Sequence, residues 1–101
     1  MGFVKVVSTK DLKADEMMST EAEGKDICVA NVGGKFYAIG NRCTHMGCSL
    51  SDGMLRGERV TCPCHGSTFN VVTGAVVKGP AQKSEPAYEV KIEKDQILVN
   101  V

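Results

Sequence analysis

Two short segments, Cys43-Thr44-His45-Met46-Gly47-Cys48 and Cys62-Pro63-Cys64-His65-Gly66-Ser67, each set a cysteine and a histidine within one turn of chain. Thiolate sulfur is a soft, charged ligand and imidazole a neutral one, so two such loops can hold a two-iron cluster with chemically unlike ends. Written out, the pattern is Cys-x-His, sixteen residues, Cys-x-x-His. Finger-type zinc sites separate the two types, with the cysteines in one clamp and the histidines in the other. Here both clamps are mixed. On this reading Cys43 and Cys62 take one iron, and His45 and His65 take the other. A structural zinc ion on the same four side chains is the alternative that the residues leave open; colour separates the two, because zinc is colourless.

The chain that must position these loops has 101 residues, enough for one domain with one core and too few for a catalytic domain besides. Twelve basic and twelve acidic residues cancel, which gives no reason to expect nucleic acid or an anionic membrane as partner. Between Arg42 and Pro80 four basic residues (Arg42, Arg56, Arg59, Lys78) face two acidic ones (Asp52, Glu58), an excess that a randomly mixed surface also produces. No apolar run approaches the roughly twenty residues that span a bilayer, and the start Met1 to Val6 has no signal-peptide core. Val6 also stands where a myristoylation pattern needs Ser or Thr. A soluble, cytoplasmic protein without a membrane anchor is expected.

The strand signals are short and punctuated by turns, and no stretch sustains a helical period, so the fold reads as all-β. Strands are expected at Phe3 to Val7, Asp15 to Ala22, Lys25 to Val32 and Lys35 to Ile39, the last two joined by Gly33-Gly34, whose positive φ suits a two-residue hairpin. Tyr88 to Glu93 alternates strictly, predicting Tyr88, Val90 and Ile92 inward and Glu89, Lys91 and Glu93 in water, and Lys94-Asp95-Gln96 turns it into Ile97-Leu98-Val99. From Arg42 to Pro80 glycine, cysteine and histidine replace the aliphatic alternation, the texture of a loop-rich insert. The two boxes are alike because each must bend back on its metal, and Gly47 and Gly66 permit the bend. Cys28, in the apolar run Ile27 to Ala30, reads as a small buried hydrophobe.

With both boxes in view, the chain resembles the Rieske family of 2Fe-2S proteins. The likeness rests on the four ligand positions, the Gly47-Cys48 that closes the first box, the Pro63-Cys64-His65-Gly66-Ser67 of the second, and Gly79-Pro80-Ala81, which looks like the family's proline loop over the cluster. It implies an open β-sandwich or barrel of residues 1–41 and 80–101 carrying a cluster-binding subdomain at 42–79, all within a single Rieske domain 1–101. It implies one 2Fe-2S cluster per chain on Cys43, His45, Cys62 and His65. It further implies a disulfide between Cys48 and Cys64, as in respiratory and photosynthetic members, against two thiols kept reduced by the cytosol. Ser67 would donate its hydroxyl to a bridging sulfide, against a turn serine satisfied by nearby backbone. Phe69 stands where high-potential members carry a tyrosine and cannot donate a hydrogen bond. Met46 and Leu50 would shield the cluster or simply fill space.

The resemblance also implies the work. A free-standing ferredoxin would carry one electron from a reductase to an acceptor oxidoreductase or oxygenase, both docking at the tip formed by His45 and His65. The alternatives are a small subunit of a larger enzyme, such as a nitrite reductase or an oxidase complex, and a piece of a bc-type complex, whose usual membrane tether is missing. Such a chain is an electron carrier and not an enzyme. The oxidised cluster with two cysteinates is formally neutral, so an electron enters more easily than in an all-cysteine cluster; Rieske potentials span roughly −150 to +300 mV against about −400 mV for plant-type ferredoxins. The potential of this protein should stay flat from acidic to neutral pH. It should fall by about 59 mV per pH unit for each coupled proton once the imidazoles of His45 and His65 release protons at alkaline pH. Ser67→Ala should lower the whole curve and Phe69→Tyr raise it, all read by potentiometric titration; a potential independent of pH would remove the exposed imidazole edges from the account.

Overall fold

The computed structural model describes residues 2–64 and 66–101. These form eleven strands, β1 (Phe3–Ser8), β2 (Met17–Ala22), β3 (Lys25–Val32), β4 (Lys35–Gly40), β5 (Met54–Arg56), β6 (Arg59–Thr61), β7 (Thr68–Asn70), β8 (Val76–Lys78), β9 (Ala87–Tyr88), β10 (Val90–Glu93) and β11 (Gln96–Asn100). Two 3-10 turns, Thr9–Asp11 and Leu50–Asp52, complete the regular structure. All pairings are antiparallel, in three sheets ordered β1-β11-β10, β2-β3-β4-β9 and β5-β6-β7-β8. The all-β expectation holds.

The middle sheet is apolar on both faces. Along β3, Ile27 and Val29 pack into one buried cluster with Leu12, Ala38, Ile97 and Val99, while Cys28 and Ala30 enter a second with Ile39, Leu50, Val60 and Phe69. Successive strand residues point to opposite faces, so a strand covered on both sides must be apolar at every position. That is why Ile27 to Ala30 shows no alternation. The first cluster joins the middle sheet to β1 and β11, and the second joins it to the sheet that carries the two cysteine-histidine boxes; Cys43 and Cys62 belong to this second cluster. Gly33 and Gly34 both adopt positive φ, 59° and 99°, and close the β3–β4 hairpin as expected.

Three local expectations need correction. The second strand begins at Met17 and not at Asp15, because Asp15 has φ 64°, outside the extended range. The strand expected over Tyr88 to Glu93 breaks at Glu89: β9 pairs with β4 in the middle sheet and β10 pairs with β11 in another. Ile92 is 45% exposed although it stands opposite the buried Ile97. It shares that residue's face but lies on an edge strand next to the hairpin turn, beyond the reach of the core. The stretch expected to be loop-rich is so, and between its loops it also holds a four-stranded sheet. Its strands are three residues each, too short to display a period of two.

The pair Ile92 and Ile97 gives a direct test. Ile97→Ala empties a fully buried site and should cost about 2–5 kcal/mol, whereas Ile92→Ala should stay within about 0.5 kcal/mol, both measured by urea unfolding. Equal losses would mean that the edge strand is covered in solution.

Candidate metal centre

The two boxes fold into the same closed turn. In the first, the N–H of Cys43 donates to Cys48 O (2.8 Å) and the N–H of Gly47 donates back to Cys43 O (2.7 Å). In the second, Cys62 N–H donates to Ser67 O (2.7 Å) and Gly66 N–H to Cys62 O (3.2 Å). Each turn therefore runs from a cysteine to the fifth residue on, with a glycine at the fourth position at φ 77° (Gly47) or 79° (Gly66). This left-handed conformation costs a residue with a Cβ 1–2 kcal/mol as an order of magnitude, which accounts for glycine in both boxes.

The cysteine at the root of each turn is buried, whereas the residues that follow it, Thr44 to Met46 in the first and Pro63 and Cys64 in the second, are exposed. Cys43 and Cys62 are each 3% exposed and remain free thiols, whereas Cys48 and Cys64 are bonded to each other, Cα to Cα 6.5 Å. The sulfurs of Cys48, Cys62 and Cys64 lie within 4.8 Å of one another, but two of them are already spent in the disulfide. What remains is a covalent brace packed on the Cys62 sulfur. His45 is exposed, next to Met46 at 64% exposure. Met46 thus stands in solvent, while Leu50 lies wholly inside the core. His65, the fourth expected ligand, lies outside the described residues.

A strap of chain after β8 ties the turns together. The hydroxyl of Thr44 donates to Lys83 O at 2.6 Å, and the N–H of Ala81 donates to Ser67 Oγ at 2.9 Å. Ser67 is fully buried, and its oxygen, having accepted from Ala81, keeps its own hydrogen for a further acceptor. Pro80 and Gln82 of the strap, with Thr44, His45 and Lys83, line an open hollow of about 360 Å³. Phe69, on β7 opposite Val60, is fully buried in the core beneath.

The base of the first turn is pinned from the middle sheet. Asn41, 1% exposed, donates from Nδ2 to Asp26 Oδ1 (3.1 Å) and accepts at Oδ1 from Ser51 N–H (2.9 Å). Arg42 pairs with Asp26 (Nε to Oδ2, 2.9 Å) and donates from Nη1 to Gly47 O (3.3 Å). Glu85 is 5% exposed, and its Oε2 is buried with no hydrogen-bond partner among the described residues. Burial pushes its pKa up to about 7, partly offset by the backbone N–H of Thr44. Sequence reasoning missed Asn41, Asp26, Thr44 and Glu85. Asn41 carries a weak signal as a polar residue between strand and box; Glu85, between Ser84 and Pro86, reads as an ordinary solvated loop acid. Cys28 fulfils its expectation: it is 1% exposed, its thiol is pushed up to about 12 chiefly by burial, and it lies 3.9 Å from the Met17 sulfur.

The donor set suits an iron-sulfur cluster: two buried thiols are left out of the disulfide, each in a closed turn that also supplies a histidine position, with a buried hydroxyl hydrogen beside them. The Rieske [2Fe-2S] domain family matches residues 2–93. The chain belongs to that family. It is 37% identical over 101 residues to the ferredoxin component of biphenyl 2,3-dioxygenase from Rhodococcus jostii (strain RHA1), covering all of this chain and 94% of the relative. Among solved structures, the ferredoxin of carbazole 1,9a-dioxygenase from Nocardioides aromaticivorans IC177 superposes with a TM-score of 0.93 at 31% identity, covering 98% of this chain and 97% of that one. A chain in the complex of reduced oxygenase and oxidized ferredoxin of a carbazole 1,9a-dioxygenase matches with a TM-score of 0.90 at 33% identity, covering 96% and 91%. The fold and the 2Fe-2S cofactor of the Rieske family therefore apply to this chain. No helix among the described residues is long and apolar enough to cross a membrane.

The disulfide should be visible chemically. Thiol counting after denaturation without reductant, with the cluster removed, should find the three thiols of Cys28, Cys43 and Cys62 and no others. The double variant Cys48→Ser, Cys64→Ser should lose about 2–4 kcal/mol of stability. Five alkylatable thiols in the untreated protein would remove the brace.

Proposed function

We propose that this chain is a one-electron carrier of the ferredoxin type, with its 2Fe-2S cluster on Cys43, His45, Cys62 and His65, taking electrons from a reductase and delivering them to an oxygenase. The observation that carries the reading is the pair of matching closed turns, each with a buried free cysteine at its root and the two joined by Cys48–Cys64. The near full-length similarity to ferredoxin components of dioxygenase systems supports the direction of transfer.

When bound, the cluster supplies reversible one-electron reduction near the histidine edge. The chain's own residues do the rest. Cys43 and Cys62 hold the buried end out of water, and His45, exposed beside Met46, offers a contact point for redox partners. The hydrogen left on Ser67 Oγ can point at a sulfide and favour the reduced state, while Phe69 offers no such donor, so the potential should lie below that of the most oxidising family members. Residues 42–79 carry the centre, and 1–41 with 80–101 form the base that holds it. Cytoplasmic residence fits such a carrier.

Ligand variants test the assignment. His45→Ala and His65→Ala should each abolish the visible absorption and the reduced-state electron paramagnetic resonance signal of the native cluster. Cys28→Ala should leave both intact. The wild-type protein, reduced stoichiometrically, should pass one electron per chain to a dioxygenase oxygenase component in stopped-flow mixing. A native spectrum surviving without His45 or His65, or lost with Cys28, would overturn the ligand set.

A further inference from the structure

Glu85 occupies a place built for it. A Cβ on Gly40 would stand 2.5 Å from Glu85 Oε1, and a Cβ on Gly74 would collide with the Glu85 carbonyl oxygen. The backbone is locked on both sides, since Glu85 N–H donates to Gly74 O (2.8 Å) and Gly40 N–H donates to Pro86 O (2.9 Å). Two glycines, one ending β4 and one before β8, thus leave a hollow that receives an acidic side chain. The cost is evident in Oε2, which is buried without a partner among the described residues; an unsatisfied buried polar atom is rare enough to require a reason. The carboxyl also feels the backbone N–H of Thr44, the residue between Cys43 and His45. Thr44 is also tied to the same strap through its hydroxyl and Lys83 O.

We propose that Glu85 is a positioning residue of the metal centre, whose buried carboxyl group holds the first ligand turn at Thr44 and, as an acid set behind that turn, lowers the reduction potential of the cluster. The proposal rests on the Rieske reading of the site. An anion opposes the arrival of an electron nearby, and the opposition is strong where water is excluded. The other titratable groups facing Glu85 do not cancel it. Cys28 on β3 and Tyr88 on β9 are both uncharged acids pushed upward, first by burial and then by neighbouring negative charge that includes Glu85. Asp26, which also acts on Cys28, is already paired with Arg42. No ion pair engages Glu85 among the described residues.

Glu85→Gln keeps the shape and removes the charge. The reconstituted variant should show the native cluster spectrum and a potential shifted positive of wild type at pH 8, where the carboxyl is ionised, with the shift vanishing at pH 5.5, where both side chains are neutral. Gly40→Ala keeps the acid but pushes it out of its hollow, and should also shift the potential positive at pH 8 and hasten cluster loss to a chelator. A native spectrum in wild type secures the centre itself, so the two readings fail separately. An unchanged potential at pH 8 in Glu85→Gln, or a shift equal at both pH values, would overturn the electrostatic role; if Glu85→Gln does not take up the cluster, a wild-type potential in Gly40→Ala would do the same.

Discussion

Two turns that are far apart along the chain must be held at a fixed separation while their cysteine roots stay dry and their outer ends reach water. Each turn is closed by its own pair of backbone hydrogen bonds, so its internal shape does not depend on its neighbour. Their mutual position does depend on others. The Cys48–Cys64 bond fixes it covalently, and the strap fixes it twice more, through Thr44 to Lys83 and Ala81 to Ser67. The bond between Ala81 and Ser67 is buried, where a hydrogen bond is stronger than in water and costly to leave unmade. A brace of this kind limits the rearrangement that accompanies a change in charge, which suits a centre that gains and loses an electron without changing ligands.

Polar groups beneath the first turn divide into two kinds. Asn41, Asp26 and Arg42 form a satisfied set that pins the turn to β3 and β4, with donors and acceptors matched. Among the described residues, Glu85 Oε2 is the unmatched atom. Its raised pKa means that the folded state holds a proton more tightly than the unfolded chain does. The stability tied to that proton is present below the unfolded value of 4.5 and is lost as pH rises through about 7. The fold tolerates this liability because neighbouring glycines and backbone bonds hold the segment in place.

What could be read from the residues was whatever is encoded locally. The two ligand boxes and the glycines of their turns depend on chemistry within six residues, the hairpin at Gly33-Gly34 announces itself by its turn residues, and the one at Lys94-Asp95 by the alternation ahead of it; the Cys48–Cys64 pairing, sixteen residues apart, was legible only through the family resemblance. What escaped was set by distant neighbours. Ile92 has the right parity but sits on an uncovered edge. Glu89 marks a corner where the chain changes sheets, and nothing in Tyr88-Glu89-Val90 signals it. Asn41 and Glu85 are buried only because Asp26, Gly40 and Gly74 come to them from elsewhere.

The two-faced burial of β3 has a consequence for quality control of the molecule. A slip of one residue in its pairing with β2 or β4 would exchange the faces, sending Ile27 and Val29 toward the cysteines and Cys28 and Ala30 toward Ile97. Both interiors would be mispacked at once, since the side chains traded differ in volume. A slip in β3 therefore cannot spoil the scaffold and spare the metal pocket, or the reverse. Acquisition of colour then doubles as a certificate that β3 also presents the right face to the opposite core.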